Sequence, residues 1–108
     1  MSEPKINLTE IDLKAKSMGA VHCIRIIGDD KTYSLYLKQP HRDIVGVYYG
    51  RMKENPIKAA EILLKASHLI DISDKEIFEN DTLFYSAYME VENYLEVIKL
   101  KKSQSVSL

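Results

Sequence analysis

Apolar positions in this chain change period from segment to segment, and each change marks an element. From Thr9 the pattern is helical. Thr9 stands at a capping position, Glu10 and Asp12 fall in the first turn, and Lys14 and Lys16 close the last. That charge order suits the helix dipole. Leu8, Ile11 and Ala15 fall near one stripe, and Gly19 stands where a left-handed residue ends a helix. Residues 21–27 (VHCIRII) are rich in β-branched side chains, and residues 32–38 (TYSLYLK) place Tyr33, Leu35 and Leu37 on one face. Both runs predict strands, and the turn signal Gly28-Asp29-Asp30-Lys31 joins them into a β-hairpin. A two-stranded hairpin is marginal alone in water. Its apolar face must therefore lie on helices or on another chain.

After Pro40 the period becomes helical again. Ile44, Val47, Tyr48 and Met52 share a face through about residue 54. Asn55-Pro56 breaks the run and restarts it, with Asn55 as N-cap and Pro56 at the first helical position. The next helix runs to about His68, with Ala60, Leu63, Leu64 and Ser67 on its inner stripe. Residues 69–80 predict an acidic, solvated loop. Asn80 or Asp81 then caps one last helix, in which Phe84, Ala87, Tyr88, Val91, Tyr94, Leu95 and Ile98 recur at three and four residues. The expected fold class is α+β: a short N-terminal helix and a β-hairpin packed on a bundle of about three helices. Residues 9–102 form one domain, between a flexible lead at 1–8 and a polar, frayed tail at 103–108.

Composition narrows the function classes. The 108 residues are 45% hydrophobic and 29% charged, which is ordinary globular material. Fifteen Lys and Arg against sixteen Asp and Glu leave a net charge of -1, which argues against electrostatic capture of nucleic acid. The single cysteine, Cys23, cannot form an internal disulfide and fits a reducing cytoplasm. Met1 to Leu13 alternates polar and apolar residues, so no signal peptide is expected, and no run is long enough to span a membrane.

Chemistry-bearing groups are sparse. His22, Cys23, His41 and His68 have no paired metal-ligand spacing, and His22 and Cys23 are neighbours on a strand, facing opposite ways. The acidic segment Asp71 to Glu76 lacks the glycine and terminal Glu of a calcium loop. Cys23 lies in an apolar strand with no basic neighbourhood or helix N-terminus to activate it, so it reads as a small hydrophobe. Four glycines, at 19, 28, 46 and 50, build no phosphate-cradling loop. No catalytic residue, cofactor, metal or small-molecule substrate is expected, and the chain reads as a non-enzyme.

Two biases point instead to protein contacts. Gly46 and Gly50 lie four apart on one predicted helix. Each costs ~1 kcal/mol relative to alanine there, so they mark either a close helix contact or a kinked, shorter helix. The chain also holds seven Tyr against two Phe and no Trp. Tyr48 and Tyr49 are adjacent, so one helix stripe cannot bury both, while Tyr85 and Tyr88 are three apart on the last helix. Tyrosine suits protein interfaces because it joins a large contact area to a polar tip. Gly46, Tyr48, Tyr49, Gly50, Tyr85 and Tyr88 are therefore the candidate interaction residues.

The order of elements and several strings resemble the small tail assembly chaperones of long-tailed, lambda-like bacteriophages. The resemblance spans roughly residues 8–102. It rests on TYSLYLKQPHR, on NPIKAAEILLKASHL, on the acidic DISDKEI, on DTLFYSA and on the ending EVIKLKK. His68-Leu69-Ile70 departs from it, because such chaperones tend to carry Trp and Gly-Gly before the acidic residues. The resemblance implies a non-enzymatic assembly factor in the cytoplasm of a bacterial host. It would bind the tape measure protein or other tail proteins, and self-associate. It also implies a longer form made by frameshifting near Lys101-Lys102. Two other classes remain open: a small regulatory or DNA-binding adaptor using the helix pair around Asn55-Pro56, and a small hydrolase using Cys23 with a histidine.

Overall fold

The computed structural model describes residues 9–99 and 105–107; the lead at 1–8 and most of the tail lie outside the described residues. The fold is α+β. It begins with α1 (Glu10–Ser17), whose N-terminus is a reciprocal capping box: the Asp12 backbone N–H donates to the Thr9 hydroxyl, and the Thr9 N–H donates to the Asp12 carboxylate. Met18 caps the other end, and Gly19 follows at φ 100°, the left-handed conformation that glycine adopts without strain. The buried positions of α1 are Asp12 and Ala15. Ile11, expected on the inner stripe, is 54% exposed.

Strands β1 (Ala20–Ile27) and β2 (Thr32–Lys38) pair antiparallel, with Ile24 opposite Leu35, Cys23 opposite Tyr36 and Arg25 opposite Ser34. A register shift between Ala20 and His22 bulges the start of β1. Ile24, Leu35 and Leu37 face the helices and are almost wholly buried. Asp12 and Ala15 of α1 lie over the opposite face, where Cys23, Arg25 and Tyr36 stand.

The bundle starts with α2 (Arg42–Arg51), whose first turn is capped by His41, and continues in α3 (Pro56–Ser67), capped by Asn55 with Pro56 at its first turn. The inner stripe of α3 is complete: Ala59, Ala60, Leu63, Leu64 and Ser67 are fully buried.

Residues 68–80 correct the expectation of a solvated loop. The segment runs along the outer edge of β2, and its end winds into a short helix, α4 (Glu76–Glu79), whose Ile77 is fully buried. The last helix is also two helices, α5 (Asp81–Tyr88) and α6 (Val91–Ile98). At the junction the Glu90 N–H donates to Ala87 O rather than to Ser86 O, a tight 3₁₀-type turn that redirects the chain. Ala87, Val91, Tyr94 and Leu95 are nonetheless all buried, so both halves keep the apolar stripe on the core. No described helix is long and apolar enough to cross a membrane.

Candidate functional site

The adjacent tyrosines of α2 divide as helical spacing requires. Tyr48 turns into the core, while Tyr49 is 49% exposed, and the two rings meet edge-on at 5.2 Å between centroids. On α5, Tyr85 is exposed and Tyr88 half-buried, with their rings 6.1 Å apart. Tyr48 and Tyr88 line one hollow of about 250 Å³, together with Met52, Pro56, Met89 and Val91. Tyr48 and Tyr88, from helices some forty residues apart, meet at this hollow, and the exposed Tyr49 and Tyr85 rings lie against Tyr48 and Tyr88 respectively. Burial, reinforced by Glu92, pushes the Tyr48 hydroxyl above its ordinary value, so it stays a neutral donor.

Gly46 and Gly50 sit on the same helix, and apart from the adjoining backbone of that helix nothing among the described residues lies within 4 Å of where their Cβ atoms would be. Among the described residues they therefore make no close helix contact. Their side of α2 offers open space beside Tyr49.

Sequence reasoning missed a second constellation. The buried Asp12 carboxylate accepts from the Tyr36 hydroxyl at 2.6 Å, from the Arg25 guanidinium and from the Thr9 N–H. These donors, the Tyr36 hydroxyl first, outweigh burial and hold Asp12 well below the carboxylate range. The Asp12 carboxylate raises Arg25, while burial first and then Asp12 raise Tyr36. Beside this cluster opens a groove of about 460 Å³ along β1, bounded by Ala15 and Lys16 of α1, by Val21 and Cys23, and by Val97 of α6. A smaller hollow of about 100 Å³ continues it past Cys23 and Arg25 toward Glu90 and Asn93. The only advance signal was the alternation of β1, which leaves one face of a two-stranded sheet to be covered.

The remaining reactive groups are dispersed. The His22 ring stacks on Tyr94 at 5.8 Å, His41 Nδ1 accepts the Asp43 N–H as a helix cap, and His68 packs against Phe78 at 4.8 Å. Burial raises the Cys23 thiol, which lowers its thiolate fraction. On α3, Lys58 and Lys65 both pair with Glu61, at 2.8 and 3.6 Å. Among the described residues no cluster of three or more His, Cys, Asp or Glu is placed to hold a metal ion. Comparison of the chain with protein-family models, curated proteins and solved structures returned no match.

Proposed function

We propose that this protein is a non-enzymatic tail assembly chaperone of a phage or prophage, acting in the bacterial cytoplasm and binding an apolar helix of the tape measure protein. The observation that carries this reading is the gathering of Tyr48, Tyr88, Met52 and Met89 around one hollow, with the exposed rings of Tyr49 and Tyr85 against Tyr48 and Tyr88. An amphipathic helix docks by laying apolar side chains into such a groove, and methionine and tyrosine adapt to many sequences along a long client. Gly46 and Gly50 lie on the far side of α2 from Tyr48 and Met52, so this groove does not use them. The resemblance in TYSLYLKQPHR and NPIKAAEILLKASHL supplies the biological setting.

The adaptor reading is less well supported, because α3 spends its inner face on the core and its Lys58 and Lys65 on Glu61. The test is co-expression with the tape measure protein encoded beside it. The wild-type chain keeps that protein soluble and co-purifies with it, whereas Tyr85→Asp with Met89→Asp, both exposed positions, loses the complex while remaining folded. A double variant that binds as well as wild type would sink the proposed site. Salt-sensitive DNA binding by the wild-type chain would favour the adaptor.

A further inference from the structure

The hairpin has a second feature that the tyrosine hollow does not use. On β2 the main-chain groups of Ser34 and Tyr36 point away from β1, because they bond to Leu69, Ser73 and Asp74. In an antiparallel pair, residues opposite such positions also turn their N–H and C=O outward. Arg25 is opposite Ser34 and Cys23 is opposite Tyr36. The outer edge of β1 therefore presents the N–H and C=O of Cys23 and Arg25. Among the described residues no backbone or side-chain group bonds to them. Along this same edge open the two hollows, of about 460 and 100 Å³, the larger bounded by α1 and by Val97 near the end of α6, the smaller by Glu90 and Asn93 near its start.

We propose that this edge pairs with its own copy. The β1 strands of two molecules join antiparallel about a twofold axis at Ile24, making one four-stranded sheet in the order β2-β1-β1-β2. Charge selects both the occupant and the register. With the axis at Ile24, Cys23 lies opposite Arg25 of the second copy, and the two Arg25 side chains stand diagonally rather than directly opposite, each held by its own Asp12. A shift that placed Arg25 opposite itself would be destabilising. In the Ile24 register Ile27, 86% exposed, comes beside Val21 of the second copy, 39% exposed, and each covers the other. The acidic turn Asp29-Asp30 then reaches Met18-Gly19 of the second copy, next to the basic end of α1 at Lys14 and Lys16. Opposite charges meet twice, once on each side of the axis. An isologous interface requires that kind of self-complementarity.

The inference does not rest on the chaperone reading. Light scattering after gel filtration should give a dimer for the wild-type chain. Asp29→Lys with Asp30→Lys, both exposed turn positions, should weaken association at least about tenfold through like-charge contact. Adding Lys14→Glu and Lys16→Glu should restore it. Val21→Cys with Ile27→Cys, in a Cys23→Ser background, should give a covalent dimer on oxidation. A wild-type chain that stays monomeric at high concentration overturns the pairing, as does a lysine double variant that associates like wild type. A monomer that still binds the tape measure protein overturns the pairing alone and leaves the client reading standing.

Discussion

One hairpin has two long edges, and this protein treats them differently. On β2, Ser34 donates its N–H to the Asp74 carboxylate at 2.8 Å and receives the Asp74 N–H at 2.9 Å. Tyr36 donates to the Ser73 hydroxyl at 3.0 Å and receives the Leu69 N–H at 2.8 Å. A loop thus closes the edge without supplying a third strand. On β1 the corresponding groups of Cys23 and Arg25 face two hollows. An exposed edge is a hazard that proteins manage explicitly, and here four hydrogen bonds close one edge of the hairpin while the other is left open. The domain finishes one side with its own loop, and the proposed pairing with a second copy would finish the other.

The loop holds its place because α4 is anchored under it. Ile77 is fully buried, and its N–H donates to Asp74 O at 3.3 Å. Ile77→Ala should therefore have the largest effect, about 3 kcal/mol from lost burial and the cavity left behind, read as a shift in the urea midpoint. It should also speed amide exchange at Ser34 and Tyr36 more than at Ile24. Unchanged exchange at those two amides would separate the anchor from the edge and break the comparison.

Asp12→Asn comes next, at about 2 kcal/mol, because it weakens the capping box and the charged bonds from Tyr36 and Arg25 at once. It should loosen α1, which bounds the open edge, and leave the β2 side protected. Because Asp12 is held well below the carboxylate range, its contribution is full above the ordinary carboxylate value and is lost only as pH falls below it. Asp74→Ala is smaller, about 1–2 kcal/mol, since it removes one charge-assisted bond at a partly exposed site and the pairing with Lys31 is solvent-screened. It converts the closed edge into a half-open one. If the edges differ as described, this variant should aggregate more readily than Asp12→Asn despite its smaller cost.

How much of this was legible depends on range along the chain. Thr9, Gly19, Asn55 and Pro56 did what their types predict, because caps and stops are decided by residues three or four apart. The closed edge was not legible. Asp74 and Ser73 read as loop acids and hydroxyls, and their partners Ser34 and Tyr36 lie forty and thirty-seven residues away. The break at Met89 and Glu90 contains neither glycine nor proline, and the apolar period runs straight through it, so pattern alone joins α5 to α6. Ile11, expected on the inner stripe, lies outside, and Asp12, expected only as a first-turn acid, lies inside, because a carboxylate is buried only where groups such as Tyr36 and Arg25 fold over it. The tyrosines were nameable from their excess and spacing. That Tyr48 and Tyr88 share a hollow follows from how α2 and α5 each pack on α3, which no local rule contains.

The smallest effect distinguishes the two strands by acid. His22 lies on β1 with its ring on Tyr94, while β2 carries no histidine. Burial lowers its pKa, and the nearby negative charge of Glu90 offsets only part of that. The unfolded chain therefore binds this proton more readily than the folded one. Stability from His22 is complete above its ordinary value of 6.5 and declines as pH falls below it. One proton cannot contribute a slope steeper than about 1.4 kcal/mol per pH unit, and the half-buried ring should contribute less. Urea midpoints measured from about pH 8 to pH 5 should fall on the acid side, and His22→Phe, which keeps the stacking and removes the proton, should flatten that part of the curve. Amide exchange in the same window should loosen Cys23 and Arg25 before Ser34 and Tyr36. The reverse order would mean that the edge closed by Asp74 is the weaker of the two.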